Sequence, residues 1–118
     1  MKLSIVSVHN HGDQTKEYVW LKADSDAKAW SHILFDTTYT KEGKVSSLLR
    51  HMYWIPVAVE KGDSIVVYTR AGKDSSAENS DNSTTYHCYW GLKEPIWNDD
   101  GDCAMLVEIE TWTHKKAK

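Results

Sequence analysis

No stretch of this chain is apolar for long enough to cross a bilayer as a helix, so no membrane contact is expected. The N-terminus, Met1-Lys2-Leu3-Ser4-Ile5-Val6-Ser7-Val8, lacks the long apolar core and the small-residue cleavage site of a secretory signal. Cysteine is scarce. Cys88 and Cys103 stand alone, outside any CxxC or HxxxH spacing, and make no recognisable zinc site; they can pair only where neighbouring strands bring them together. These absences set the expectation of a cytoplasmic chain with reduced thiols. Catalytic signatures are missing too: there is no G-x-S-x-G, no P-loop glycine pattern and no H-E-x-x-H. Nor is there an excess of positive charge. Fourteen Lys and Arg against seventeen Asp and Glu leave a net charge of −3, the wrong sign for a dedicated nucleic-acid binder.

Phenylalanine occurs once, whereas tryptophan and tyrosine occur six times each. Such side chains combine a large apolar body with one polar group, and they suit half-buried sheet faces and interaction surfaces alike. At 118 residues the chain is long enough for one domain with a core of its own. Residues 1–112 are assigned to that domain and 113–118, with Lys115, Lys116 and Lys118, to a frayed basic tail. No internal repeat or linker interrupts it.

The apolar pattern has the period of strands. Leu3 to Val8 reads as a first strand ending at His9-Asn10-His11-Gly12-Asp13. Glu17 to Ala23 alternates, with Val19, Leu21 and Ala23 on one face and Tyr18, Trp20 and Lys22 on the other. Trp30 to Tyr39 is read as a strand from its β-branched and aromatic content, although Ala27 to Trp30 could open a short helix. Lys41-Glu42-Gly43-Lys44 is a turn, Val45 to Arg50 has a short helical look, and Met52 to Ile55 should be extended up to Pro56, which marks a sheet edge. Ser64 to Thr69 is apolar on both faces, as an interior strand would be. Ala71 to Thr85 holds almost nothing that can be buried and is expected to be a mobile surface loop. Tyr86 to Trp90 is a strand. Asp100-Gly101 is a hairpin signal, expected to join Ile96-Trp97 to Cys103–Leu106 as neighbouring antiparallel strands. The sum is an all-β chain: an antiparallel sandwich of seven to nine short strands.

In the order of its motifs the chain resembles the lamin tail domain, an immunoglobulin-like sandwich that also occurs as a module in bacterial proteins. Glu17-Tyr18-Val19-Trp20-Leu21 is similar to the family's E-Y-V-x-L strand. Tyr53-Trp54-Ile55-Pro56, Val59-Glu60-Lys61-Gly62 and Val66 to Gly72 resemble its F-P, L-x-x-G-x-x-V and T-x-x-G segments. Tyr89-Trp90-Gly91 and the stretch Ile96 to Leu106 resemble its closing signature, Y-W-G followed by W-N-N-x-G-D-x-A-x-L. The likeness spans roughly residues 1–110, with Trp30 or His32 standing where the family has Gly-Trp. It implies an immunoglobulin-like fold without catalytic activity. Trp90, Gly91, Trp97, Asn98, Gly101 and Asp102 are then structural: Trp97 plugs one end of the sandwich, a burial worth about 2–4 kcal/mol. Asn98 and Asp102 would hold the reversal, and Ala104 and Leu106 would point inward.

The remaining candidates for chemistry are thin. Asp99, Asp100 and Asp102 lack the order of a calcium loop. His9 and His11 alternate as ligands on one strand face would, but nothing in the spacing completes a site with His87 and Cys88. His87 and Cys88, adjacent on one strand, should face opposite ways, which argues against a nucleophile and its base. No cofactor, metal or enzymatic activity is therefore expected. The aromatic excess is the best pointer to function, with Tyr18, Trp20, Trp54 and Trp112 as candidate binding residues. The expected role is a non-catalytic binding or scaffolding module acting through protein contacts or as a homo-oligomer. The alternative is an accessory domain that binds carbohydrate or nucleic acid through exposed aromatics.

Overall fold

Alternation of apolar and polar residues over five to seven positions leaves one side of each strand with nothing to bury itself against but another sheet, and two sheets form. The computed structural model describes residues 1–38, 49–97 and 101–118. Among them are eight strands: β1 (Leu3–His9), β2 (Tyr18–Ala23), β3 (His32–Thr38), β4 (Met52–Trp54), β5 (Ser64–Tyr68), β6 (Ser75–Glu78), β7 (Thr84–Tyr89) and β8 (Asp102–Glu108). One sheet has the order β1-β2-β5-β7-β6 and the other β4-β3-β8. The all-β, two-sheet, sandwich-like architecture is as the pattern predicts.

The core lies between the sheets. Leu3, Val19, Leu21, Ile65, Val67 and Cys88 face it from the larger sheet, and Leu34, with Tyr53, Ala104 and Leu106 packed beside it, from the smaller. Ile55, Val59, Ile96 and Trp97 join it from the segments between strands. The division of β2 into two faces is as expected: Val19, Leu21 and Ala23 are buried, while Tyr18 and Trp20 are half-buried and Lys22 is exposed. The apolar run Ser64–Tyr68 is indeed interior, with β2 on one side and β7 on the other. Ala104 and Leu106 point inward as expected.

Three expectations need correction. The segment Ala71–Thr85 is not a loop throughout: Ser75–Glu78 forms an exposed edge strand paired antiparallel with β7. Burial was never required there, because an edge strand needs only backbone partners. The sandwich is not wholly antiparallel either, since β7 runs parallel to β5. The chain leaves β5, makes β6 at the edge and returns between the two, so β7 meets β5 running the same way. Finally, Ile96-Trp97 and Cys103–Leu106 are not the arms of a hairpin. β7 and β8 belong to different sheets, β8 pairs with β3, and Ile96-Trp97 lies in the crossing between them. Asn98, Asp99 and Asp100, the turn at Lys41 to Lys44, Tyr39, and the start of the helical reading at Val45 lie outside the described residues.

A buried carboxylate explains why Ile96-Trp97 does not pair as a strand. Glu17 is fully buried; its Oε1 accepts from the amide of Gly12 at 3.1 Å, and its Oε2 accepts from Thr69 Oγ1 at 2.5 Å and from the Ile96 amide at 2.9 Å. The same path is held by Leu92 N donating to Thr69 O at 2.8 Å and Gln14 Nε2 donating to Leu92 O at 2.9 Å. Charge-assisted bonds to a desolvated carboxylate are strong, and they fix the crossing that sets Trp97 into the core. Trp97 is 3% exposed, with its ring edge-on to Trp90 at 6.3 Å, and Trp90 in turn meets Tyr53 at 5.6 Å. Gly91 follows at φ +85°, a conformation that penalises any side chain.

Candidate functional site: two outward sheet faces

Because side chains alternate along a strand, the registers that fill the core also fix what each sheet presents to solvent. On the smaller sheet, Trp54, Ile33 and Val107 form one outward rung and Met52, Phe35 and Met105 the next. A third pair, Thr37 and Cys103, is buried. The two open rungs contain six apolar side chains and no charge. Trp30 and Trp112 extend them. Trp54 meets Trp30 edge-on at 5.8 Å and Trp112 edge-on at 5.5 Å, and its Nε1 donates to Trp30 O at 2.7 Å. Trp30 and Met52 are each 52% exposed and Trp112 60%. The chain has no strand after β8, yet Trp112 packs back onto this face, so the last segment is tied to the sheet at that point.

The larger sheet presents a different surface. Across β2, β5 and β7 its outward rungs are Tyr18–Tyr68–Tyr89, Trp20–Val66–His87 and Lys22–Ser64–Thr85. His9 of β1 stacks on Tyr18 at 4.6 Å, and Tyr68 stacks on Tyr89 at 4.8 Å. The Arg70 guanidinium lies 5.2 Å from the Tyr68 ring centre and 5.0 Å from that of Tyr89. Gly72 is pressed against Tyr89 so closely that an added Cβ would lie 2.5 Å from the ring. Val66 is the smallest outward side chain of the middle rung, and a cleft of about 330 Å³ opens over it between Trp20 of β2 and His87 of β7, with the touching rings of Tyr18 and Tyr68, 5.5 Å apart, at one end.

The four residues expected to bind are thus exposed or half-buried, but they do not form one site: Tyr18 and Trp20 belong to the larger sheet's face, Trp54 and Trp112 to the smaller's. Of the residues read as structural, Trp90 and Trp97 pack in or against the core, Gly91 supplies the turn after β7, and Gly101 and Asp102 lead into β8. Asn98 lies outside the described residues.

His87 and Cys88 do face opposite ways. His87 Nδ1 sits 3.1 Å from Tyr68 Oη on the outer face, whereas Cys88 is fully buried and lies against Tyr53. Burial pushes the Cys88 thiol up to about 11, so it is protonated at neutral pH and a poor nucleophile. Burial likewise holds the Tyr53 and Tyr68 hydroxyls protonated. Cys88 and Cys103 are free thiols. Among the described residues, no three His, Cys, Asp or Glu side chains come together as metal ligands would, and no helix is long and apolar enough to cross a membrane.

Sequence reasoning missed the buried polar residues that hold these faces in place. Besides Glu17, Asp63 accepts from the amides of Glu60 and Thr84, each at 2.9 Å, and so fixes the start of β7 against the turn before β5. Asp36, also buried, accepts from the His51 amide at 2.6 Å beside β4. His32 is buried opposite Glu108, with Nε2 at 3.4 Å from its carboxylate, and desolvation lowers its pKa against the pull of that charge. The one signal in the sequence was Glu17, a charged residue directly before an alternating strand.

No protein-family model matches the chain, and no curated protein or solved structure matches it either.

Proposed function

We propose that this protein is a non-catalytic scaffolding module that self-associates through the outer face of its three-stranded sheet. The observation that carries this reading is the pair of uncharged rungs, Trp54–Ile33–Val107 and Met52–Phe35–Met105, widened by Trp30 and Trp112. With large side chains of about 150–250 Å², the exposed fractions of Trp30, Met52 and Trp112 together with five half-buried neighbours leave roughly 600 Å² of apolar surface in contact with water. A typical monomer's largest apolar patch spans about 300–600 Å². A standard interface covers about 800 Å² per partner, so a second copy of this face supplies most of one.

A second copy is also the occupant that the chemistry favours. The rungs hold no charge by which a different partner would be selected, and an apolar face is complementary to itself about a two-fold axis. Sheet extension is discouraged at three of the four edge strands: β4 is three residues long, β1 carries a bulge between Ile5 and Ser7, and β6 is polar and fully exposed; the fourth, β8, is seven residues long and is the one edge that could add a strand. Kinship with the lamin tail domain and an immunoglobulin-like topology belong to the same reading. Their support is the order of the motifs and the two-sheet architecture, while the parallel β5–β7 pair departs from an all-antiparallel sandwich.

Light scattering coupled to size exclusion tests the proposal. Wild-type protein at tens of micromolar is expected at twice the chain mass, and Met52→Asp combined with Trp112→Ala at the chain mass with its fold intact. A wild-type monomer at millimolar concentration would refute the reading.

A further inference from the structure

The cleft on the opposite sheet does not take part in that self-association, and its chemistry is different. Its walls are Trp20 of β2 and His87 of β7 on either side of Val66, its floor; Tyr18 and Tyr68, whose rings meet at 5.5 Å, close one end, and Ser64 and Thr85 stand at the other. We infer that this cleft is a carbohydrate site for a β-linked, gluco-configured pyranose chain. Such a ring carries all its ring hydrogens axially and its hydroxyls around the rim, so it has two apolar faces and a polar edge. Aromatic walls with an apolar floor suit the faces. The hydroxyls of Ser64, Thr85 and Tyr18, the His87 ring and the Trp20 N–H suit the rim, because together they donate and accept. At about 330 Å³ the cleft has the size of a small ligand site and room for one pyranose with its linkages continuing out along the open ends.

Two other flat ligands fit the cleft less well. Single-stranded nucleic acid needs a positive track beside its stacking rings. Here Lys22 and Arg70 are the cations on the described face, Arg70 is already laid over Tyr68 and Tyr89, and the chain as a whole carries −3. A proline-rich peptide offers carbonyl acceptors and few N–H groups, so the acceptors of Ser64, Thr85 and His87 would be stripped of water without replacement. A sugar hydroxyl satisfies both kinds of partner.

The cleft is also prepared for a ligand that must be held flat. Tyr68 is fixed by its stack on Tyr89 and by its contact with His87, and Tyr89 by Gly72 behind it. Tyr18 is fixed by His9. Rings immobilised before binding lose little rotamer freedom when the sugar arrives.

The test is calorimetric titration of the full chain with cellohexaose and chitohexaose, beside mannohexaose, a ten-nucleotide oligothymidine and a decaproline peptide. Cellohexaose or chitohexaose is expected to bind with a dissociation constant below a millimolar, and the three comparison ligands at least tenfold more weakly. Trp20→Ala should weaken the sugar at least tenfold. Val66→Phe, which fills the floor and keeps every wall residue, should abolish binding while the circular dichroism spectrum and unfolding midpoint stay near wild type; it serves if Trp20→Ala fails to fold. Trp112→Ala, on the other sheet, should leave sugar binding unchanged whether or not it alters the oligomeric state. Preferred binding of the oligothymidine or decaproline, sugar binding that survives Val66→Phe, or no binding of either β-linked hexaose at millimolar concentration would overturn the inference.

Discussion

The two outer faces are built on the same plan and come out unlike. Each is a set of rungs fixed by the register that fills the core, and each carries at least one tryptophan next to aliphatic side chains. On the three-stranded sheet the outward positions are Ile, Val, Met, Phe and Trp, with no hydrogen-bonding group between them except the indole N–H, and that of Trp54 is already spent on Trp30 O. On the five-stranded sheet every outward aromatic is a Trp, Tyr or His, interleaved with Ser, Thr and Lys. The first face gains by excluding water altogether, as a second copy would. The second keeps hydrogen-bonding groups that only a polar ligand can satisfy. Overall hydrophobicity does not separate them; the presence of polar atoms on the aromatic groups does.

The largest expected effect removes the frame on which both faces depend. Glu17→Ala leaves the Ile96 amide and the Thr69 hydroxyl buried without an acceptor, at about 1–3 kcal/mol for each unmet group, and frees the amide of the exposed Gly12 to water, so urea denaturation should report a loss of about 2–5 kcal/mol. Both faces should fail together, because Glu17 pins the crossing between the sheets. A loss below 1 kcal/mol would mean that the two sheets do not need this clasp.

Acid should separate the faces. Desolvation depresses the folded-state pKa of His32, so the unfolded chain takes up a proton at higher pH than the native one does. His32 therefore contributes stability that is fully present above the ordinary imidazole pKa of about 6.5 and is lost as pH falls through the lower folded value. His32 lies on β3 opposite β8, so amide exchange measured from pH 7 downward should show β3 and β8 losing protection before β2 and β5. His32→Gln should remove that difference. Equal loss in both sheets would break the assignment.

The smallest effect is on the two thiols, one in each sheet. Cys88 is fully buried and its thiol is held protonated, and Cys103 is 9% exposed on the outer row of β8. A disulfide reagent at neutral pH should leave both unmodified over minutes, with Cys103 reacting first on longer exposure and both reacting once the chain is unfolded. A prompt reaction at Cys88 would show that the core side of β7 opens readily.

Most of the architecture was legible in the sequence because period-two alternation is a direct consequence of burial. Val19, Leu21 and Ala23 could be set on one face and Tyr18 and Trp20 on the other from their spacing alone, and the first face is the buried one. What alternation cannot carry is pairing partner and direction. Nothing local in Thr84–Tyr89 distinguishes a parallel neighbour from an antiparallel one, and nothing in Ser75–Glu78 marks a strand whose only task is to hydrogen-bond at an edge. The crossing at Ile96-Trp97 was misread for a related reason. The residue that decides it, Glu17, is 79 positions away. The candidate binding residues were legible as aromatic and outward, but their division between two faces depends on which sheet each strand joins, a long-range property. Polar groups such as Asp63 and Asp36 carry no mark of their role in the sequence and show it only once β7 and the segment before β4 are brought to them.

Methyl NMR on one labelled sample tests the difference between the faces most directly. On raising the protein concentration, the methyl signals of Met52, Met105, Ile33 and Val107 should shift while those of Val66 stay in place; on adding chitohexaose or cellohexaose, Val66 should shift while the other four do not. Concentration-dependent shifts centred on Val66, or both sets moving together in either titration, would contradict the account.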